Sequence, residues 1–326
     1  MNKVSILGTG SYVPETIISN DDLSKIVDTN DEWITTRTGI KERHISNGEL
    51  TWELGAKAVL SALESSGKKP EDVDLIICAT ITPDEMMPAT ACRIQSAVGA
   101  VNAAAFDISA ACSGMVFGIN IATQFIKTGM YKTVCVVGAE TLSKVVDWTD
   151  RGTCVLFGDG AGAVIMGNDE SATSEIVSQS MVSNGSKGDI LTLNSFPFKN
   201  TLIDKTEDFT DAYMHMDGQE VFKFAVKIMA NQVEKVAEDA GVTLEDVKYI
   251  VPHQANIRII ALAAKTLGIP QDKFVVNLHK YGNTSSASIG IALDELMKSG
   301  NVNTGDKIIL TGFGGGMSAG AVLITM

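Results

Sequence analysis

The tetrapeptide Ala161-Gly162-Ala163-Val164 recurs later in the chain as Ala319-Gly320-Ala321-Val322, each time within an apolar run that predicts a strand. Two further short signals occur in both halves in the same order: Glu-Asp-Val at 71–73 and 245–247, and Thr-Gly at 128–129 and 304–305. Each of these also leads into a predicted strand. Three signals repeated in one order favour an internal duplication, with the second copy starting near residue 170.

Short β-rich runs alternate with helical patterns along the chain, which is typical of an α/β fold. The predicted strands span 4–7, 75–79, 133–137, 161–166, 249–252, 307–310 and 319–325. The predicted helices span 50–65, 89–98, 113–127, 219–240, 256–267 and 286–298. The third helix is apolar on all sides, which predicts that it is buried. The polar stretch 168–174 predicts a linker between halves 1–170 and 171–326, and 183–213 predicts an extended insertion.

Composition excludes several classes of protein. The 326 residues carry a net charge of −13, which disfavours nucleic acid as a partner and requires a local basic patch for any anionic ligand. The five cysteines form no C-x-x-C pair, so neither a disulfide framework nor a zinc site is expected. The first residues form no signal peptide, and the uncharged stretch 108–126 contains too many polar residues for a membrane span. We therefore expect a cytoplasmic protein that does not associate with a membrane.

Cys112 lies directly before the predicted buried helix. A cysteine at this position feels the positive end of the helix dipole, which lowers the pKa of a thiol and favours the thiolate. The alternative is that Cys112 is an inert core residue, which is the interpretation we adopt for the other four cysteines.

His253 and Asn283 are the corresponding candidates in the second half. His253 follows a predicted strand, and the carboxyl ends of strands in open α/β sheets are where ligands bind. Asn283 precedes the predicted helix 286–298, so it lies at a helix start, as Cys112 does. The duplication predicts that the two helix starts face each other. The alternatives are a capping or core histidine and an ordinary residue at a helix start.

The glycine run Phe313-Gly314-Gly315-Gly316 follows another predicted strand. Three glycines allow the backbone to approach a ligand closely and to present N–H groups to it. The run lacks the G-x-G-x-x-G spacing and the following helix of a dinucleotide site, so a Rossmann dehydrogenase is not expected.

Seven motifs together resemble the thiolase superfamily, and within it the β-ketoacyl-acyl-carrier-protein synthase III family. They are the segments 31–43, 110–114, 151–152 with 157–162, 216–223, 251–258, 281–288 and 313–316. The resemblance covers nearly the whole chain. It implies a duplicated α/β fold in which two similar βαβ halves form α-β-α-β-α layers. Related elongating enzymes carry a second histidine, and thiolases a second cysteine, where this chain has Asn283.

The resemblance also implies a reaction and the residues that perform it. Cys112 accepts an acyl group from a short acyl-CoA, with the backbone N–H groups of Cys112 and Gly315 as oxyanion donors. His253 and Asn283 stabilise the enolate that malonyl-acyl carrier protein forms as it loses CO₂. The product is 3-oxoacyl-acyl carrier protein, and the reaction is the initiating condensation of type II fatty-acid synthesis. No metal, flavin or nicotinamide is implied.

Substrate and partner contacts follow from the same resemblance. The residues expected along the CoA and pantetheine cleft are Trp33, Arg37, Arg151, Met216, Gly218, Asn256 and Phe313. A homodimer is expected, in which Met87 closes the acyl pocket of the partner subunit. The residues expected at the carrier-protein docking surface are Gln254, Arg258 and Lys223, with Lys227 and Lys265 nearby.

Three other functions remain open at the level of sequence. A condensing enzyme of secondary metabolism would share all of these motifs. A thioester hydrolase could use the same cysteine, histidine and asparagine, and would release only a free acid. A non-catalytic protein that binds acyl thioesters is disfavoured, because all three catalytic residue types are present.

Overall fold

A computed structural model of the chain describes residues 2–194, 202 and 212–326. The strands within these residues are β1 Ser5–Tyr12, β2 Ile17–Ser19, β3 Glu42–His44, β4 Leu75–Ala79, β5 Ala104–Ile108, β6 Thr133–Glu140, β7 Gly160–Gly167, β8 Glu175–Val182, β9 Leu191–Leu193, β10 Met214–Met216, β11 Val247–Pro252, β12 Lys307–Gly314 and β13 Ser318–Thr325. The helices are α1 Asn20–Leu23, α2 Asp31–Thr38, α3 Thr51–Ser66, α4 Thr90–Val98, α5 Gly114–Lys127, α6 Gly218–Asp239, α7 Ile257–Leu267, α8 Leu278–Tyr281 and α9 Ala287–Lys298.

Two mixed sheets form the centre of the fold. The first has the strand order β1-β7-β6-β4-β5, and the second has the order β11-β12-β13-β8. Helices α5 and α9 lie between the sheets and contact both of them. Helices α3 and α4 cover the outer face of the first sheet, and α6 covers that of the second with α7 beside it. The predicted α-β-α-β-α layering is confirmed.

Every predicted strand and helix is present, and most strands are longer than predicted. Strand β12 extends to Gly314, for example, because the glycine-rich end of the run still pairs with β13. Sequence reasoning missed β5, which is short and shows no alternation, and β8, which directly follows the polar stretch 168–174. All strands of the first sheet precede residue 168, and all strands of the second follow residue 174.

The predicted insertion 183–213 lies partly outside the described residues, which omit 195–201 and 203–211. Its described part contains a 3₁₀ segment, Gly185–Ile190, and strand β9. Strand β9 pairs with β10, which follows the insertion. Among the described residues, no helix combines the length and apolarity that crossing a bilayer requires.

The repeated Ala-Gly-Ala-Val motif has a physical explanation in the packing of the central helices. A Cβ atom on Gly162 of β7 would lie 2.6 Å from the backbone of Gly290 in α9. Gly290 faces Gly162 in return, so helix and strand touch backbone to backbone. In the other copy, a Cβ on Gly320 of β13 would lie 3.3 Å from Val116 in α5. Each copy of the motif therefore brings a sheet close to a central helix.

This packing predicts that Gly162→Ala destabilises the fold. The added methyl group meets backbone atoms on α9, which cannot rotate away, so we expect a loss of about 1–3 kcal/mol in the free energy of unfolding. Denaturant unfolding followed by circular dichroism measures this loss. Gly185→Ala is the control, because a Cβ there would have no neighbour within 4 Å. Equal midpoints for the two variants would contradict the prediction.

Candidate active site

A cavity of about 1420 Å³ opens between the two halves. Its walls come from segments distributed from Trp33 to Met317. The predicted site residues that line it are Trp33, Arg37, Cys112, Arg151, Met216, Gly218, Lys223, His253, Asn256, Arg258, Asn283, Phe313 and Gly315. Met87 and Gln254 do not line it. The structure therefore brings the three proposed catalytic side chains to one cavity, as the facing helix starts predicted.

Cys112 lies in a short 3₁₀ turn, Ala111–Ser113, that leads into α5. The side chain is buried, and only 7 % of the residue is exposed. Burial raises the pKa of the Cys112 thiol to about 12, although the nearby Ser285 hydroxyl opposes the rise. The prediction that the helix start lowers this pKa is therefore wrong. Removing the thiolate from water destabilises it more than the positive end of the helix dipole stabilises it.

His253 follows β11, and its backbone N–H donates to Thr311 O at 2.8 Å. The ring is fully buried, which lowers the pKa of His253 to about 3, so the imidazole is neutral. Its Nδ1 lies 2.7 Å from Ser288 Oγ, and Ser288 Oγ also accepts a hydrogen bond from Gln254 N at 3.4 Å. In the tautomer whose Nδ1 accepts from the Ser288 hydroxyl, the ring proton is on Nε2 and can be donated to a ligand.

Asn283 is held on both sides by the segment 156–158. Its N–H donates to Leu156 O at 2.8 Å, and its carbonyl accepts from Gly158 N at 3.0 Å. The side-chain Oδ1 accepts from Ser285 N at 2.9 Å. A backbone N–H can only donate, so this bond fixes the orientation of the amide. The Nδ2 donors of Asn283 therefore remain for a ligand in the cavity.

The glycine run at the end of β12 packs against the Cys112 turn. A Cβ atom on Gly314 would lie 2.6 Å from Cys112 N, so only glycine allows this approach. The next residue, Gly315, begins a 3₁₀ turn and lines the cavity. Phe313 packs edge-on against His253 with ring centroids 5.2 Å apart. The backbone of the glycine run and the Cys112 turn thus lie next to each other at the cavity wall.

Two arginines stack on one indole at the cavity mouth. The guanidinium carbons of Arg37 and Arg151 lie 5.0 and 4.9 Å from the centre of the Trp33 ring. Arg151 also donates to Asp28 O at 2.8 Å. This cluster offers a flat aromatic surface and two cations to a ligand.

The opposite rim is formed by the starts of α6 and α7. Met216 and Gly218 lie at the start of α6, and Lys223 is exposed one turn further on. Asn256 caps α7, since its Oδ1 accepts from Arg258 N at 2.9 Å, and its Nδ2 donates to Arg37 O at 3.1 Å. The exposed side chain of Arg258 lies over Phe222 of α6 at 5.8 Å. Lys223 and Arg258 thus place positive charge at the mouth of the cavity.

The assignment of Gln254 to a docking surface is wrong. Only 1 % of the residue is exposed. Its Nε2 donates to the carbonyls of Pro252 and Val275, both at 2.9 Å, and its Oε1 accepts from the N–H groups of Asn277 and Leu278. Its amide is thus fully used inside the protein, where it joins the loop after β11 to the start of α8. Nothing in its sequence position revealed this burial.

Sequence reasoning missed three polar side chains around the catalytic set. Ser285 and Ser288 lie in the polar segment before and within α9, and Glu140 ends the fully buried strand β6. Ser288 holds the ring of His253, as described above. A glutamate that ends an otherwise apolar run was the one available signal for Glu140.

Comparison with known proteins gives consistent matches over the chain. Residues 106–185 match the family described as 3-Oxoacyl-[acyl-carrier-protein (ACP)] synthase III, and residues 237–326 match its C-terminal counterpart. The curated β-ketoacyl-[acyl-carrier-protein] synthase III of Clostridium acetobutylicum is 55 % identical over 325 residues, which is 99 % of each chain.

Solved structures agree with this match. The 3-oxoacyl-[acyl-carrier-protein] synthase III of Aquifex aeolicus superimposes with a TM-score of 0.92 at 48 % identity, over 99 % of this chain and 100 % of that one. The priming β-ketosynthase of the R1128 polyketide pathway gives 0.91 at 35 % identity, over 99 % and 96 %. The chain therefore belongs to the β-ketoacyl-[acyl-carrier-protein] synthase III family, the thiolase-like acyltransferases that perform the initiating condensation of type II fatty-acid synthesis.

Proposed function

We propose that Cys112, His253 and Asn283 carry out this condensation in two half-reactions. In the first, the Cys112 thiolate attacks the carbonyl carbon of a short acyl-CoA, the carbon–sulfur bond to CoA breaks, and an acyl-enzyme forms. The backbone N–H groups of Cys112 and Gly315 are the proposed donors to the oxyanion. The glycine run supports this assignment because it packs against the Cys112 turn.

In the second half-reaction, malonyl-acyl carrier protein loses CO₂ and its enolate attacks the acyl group on Cys112. His253 Nε2 and Asn283 Nδ2 donate hydrogen bonds to the enolate oxygen. The observation that carries this proposal is that no group in the described residues bonds to either donor, while the other ends of the two side chains are bonded, to Ser288 and to Ser285 N. Neither side chain carries a charge that titrates near neutral pH, so both remain donors throughout.

We assign the CoA moiety to the mouth of the cavity. Trp33 with Arg37 and Arg151 offers a stacking surface for the adenine and cations for the phosphates. The pantetheine arm would pass Met216, Gly218, Asn256 and Phe313 on its way to Cys112.

The first test is that Cys112 alone is acylated. Intact-protein mass spectrometry after exposure to a panel of acyl-CoAs should give one acyl mass shift, which Cys112→Ser should abolish. Cys78→Ala and Cys135→Ala are the controls, since both thiols are completely buried within the core. Acylation that persists without Cys112 would overturn the assignment. Product analysis separates condensation, which yields CO₂ and a 3-oxoacyl-carrier protein, from hydrolysis, which yields a free acid.

We further propose a homodimer in which Met87 reaches into the partner's acyl pocket. Met87 is 88 % exposed and lies on a segment whose neighbours Met86 and Ala89 line the cavity of their own subunit. Strand β5, the edge strand of its sheet, also borders this region through Ile108. A large exposed apolar side chain beside an open sheet edge is well placed to be covered by a second copy.

Met87 should then influence the choice of starter acyl group. Methionine is flexible and slimmer than an aromatic ring, so we expect branched or four- to five-carbon starters to be accepted as well as acetyl. Met87→Phe should shift the acylation profile towards acetyl-CoA. Met130→Phe changes another exposed methionine, which does not line the cavity, and should leave the profile unchanged. Exclusive use of acetyl-CoA by both the parent and the Met87 variant would refute this role.

The carrier protein is proposed to dock beside the cavity mouth, at Arg258 and Lys223, with Lys227 and Lys265 exposed on the same two helices. The net charge of −13 repels an acidic partner at long range, so local positive charge has to provide the attraction. Lys223 is paired with Glu220 at 2.6 Å, whereas no carboxylate within the described part of the chain forms an ion pair with Arg258.

The double variant Arg258→Glu/Lys223→Glu should slow condensation with malonyl-acyl carrier protein by about tenfold or more, through weaker association. Acylation of Cys112 by acyl-CoA should change little, because that half-reaction uses no carrier protein. Lys69→Glu/Lys235→Glu makes the same change of charge away from the cavity and should affect neither rate. If both half-reactions fell equally in the double variant, the proposed docking surface would be incorrect.

A further inference from the structure

Two buried serine hydroxyls lie between the Cys112 turn and the glycine run. Ser113 and Ser318 are 0 % and 5 % exposed. Their Oγ atoms are 2.7 Å apart, so one hydroxyl donates to the other. Ser113 Oγ also lies 2.6 Å from Ala110 O, and Ser318 Oγ lies 2.9 Å from Gly315 O. Each serine thus approaches the carbonyl three residues before it, and the pair joins the two turns whichever hydroxyl donates.

This pair is the hydrogen bond that connects the two turns. Within residues 2–194, 202 and 212–326, no backbone hydrogen bond runs between segments 110–113 and 312–318. The remaining contacts are of the van der Waals kind: a Cβ atom on Gly315 would lie 3.4 Å from Ala111 Cβ, and one on Gly312 would lie 3.2 Å from Ser113 Cα. Such contacts keep two backbones close, but they have little directional preference and do not fix where an N–H group points.

Both turns contain backbone that needs support. Ala111 has a φ of 45° and Met317 a φ of 47°, and they are two of the three non-glycine residues with positive φ in the described part of the chain. A residue with a side chain keeps this conformation only where the surrounding contacts enforce it. The run 314–316 adds three glycines, whose backbone has the greatest freedom. Ser113 follows Ala111 by two positions, and Ser318 directly follows Met317, so each hydroxyl is placed to hold its own turn.

We propose that the Ser113–Ser318 hydroxyl pair positions the two oxyanion donors of the acylation step. The donors are the backbone N–H groups of Cys112 and Gly315, so this inference rests on the proposed function. Cys112 directly precedes Ser113, and Gly315 carries the carbonyl that Ser318 approaches. A catalytic group has to be held within about 0.5 Å of its productive position. Neither serine lines the cavity, so both act through the turns, as positioning residues.

Loss of either hydroxyl breaks the bond between the turns. Ser113→Ala leaves the Ser318 hydroxyl with Gly315 O alone, and Ser318→Ala leaves the Ser113 hydroxyl with Ala110 O alone. Both variants keep the Cys112 thiol and both N–H donors, but the two turns are no longer held to each other by a directional contact. Because the two single variants remove the same bond, the double variant should lose no more than either of them.

The test compares two reactions of the same thiol. Acylation by an acyl-CoA passes through a tetrahedral oxyanion, whereas alkylation by iodoacetamide forms a sulfur–carbon bond as iodide leaves and produces no oxyanion. Both reactions start from the Cys112 thiolate, so a change in the pKa of the thiol cancels in the ratio of the two rates at one pH. Peptide mass spectrometry follows both modifications at Cys112.

In Ser113→Ala and in Ser318→Ala, acylation should slow about tenfold relative to alkylation, which is less than the ~10²–10³ that loss of an oxyanion donor itself costs. The double variant should show a loss of the same size. The control is Ser180→Ala, which removes another buried hydroxyl, bonded to Gln232 Oε1 at 2.6 Å. Ser180 does not line the cavity, so this variant should keep the ratio of the parent protein.

The outcomes are distinct. An unchanged ratio in the single variants would overturn the proposal, and so would a double variant whose loss is the product of the single losses, because the hydroxyls would then act separately. A lowered ratio in Ser180→Ala would also overturn it, since loss of any buried hydroxyl would then suffice. If Ser113→Ala does not fold, the comparison of Ser318→Ala with Ser180→Ala decides. Absence of any acyl mass shift on Cys112 in the parent would instead refute the proposed function.

Discussion

The contact between α9 and the first sheet determines where Asn283, a proposed catalytic residue of the second half, lies. Helix α9 can approach strands β6 and β7 because glycines occupy the contact, at Gly138, Gly162 and Gly290. A Cβ on Gly138 would meet the backbone of Ser286, the residue that begins α9. The helix start is therefore held against β6, whose last residue is Glu140. Asn283 and Ser285 take their positions from this contact, and Ser288 follows in the first turn of the helix.

Burial favours the neutral form of both His253 and Cys112, which suits the proposed role of the first and opposes that of the second. It keeps His253 neutral, which suits a residue that donates a hydrogen bond, but it also keeps the Cys112 thiol protonated. An apolar cavity suits both the acyl chain and the donors that stabilise an enolate, since hydrogen bonds are stronger where water is excluded. The same exclusion of water makes thiolate formation costly.

The sequence was sufficient for the layered fold and for the residues that line the cavity. Motif order identified Cys112, His253 and Asn283, and periodicity located the strands and helices that flank them. Sequence could not predict the burial of Gln254, because neighbouring residues such as Asn256 and Arg258 are on the surface of the same segment. It also gave the wrong direction for the pKa of Cys112. A helix start is a local feature that can be recognised from sequence, whereas desolvation depends on all the elements that surround the thiol.

Strand β13 lies between β12 and β8 in the second sheet. Its neighbour β12 is adjacent in sequence, but its other neighbour, β8, is the first strand of the second half. Pairing β13 with β8 therefore closes a chain loop that includes nearly all of that half. Loop closure of this kind slows folding, because its entropic cost precedes the contacts that compensate for it. Glycines 315 and 316 join β12 to β13 and also form part of the cavity wall. A folding intermediate that lacks β13 would therefore have no complete cavity, and a ligand could be enclosed only in the last stage of folding.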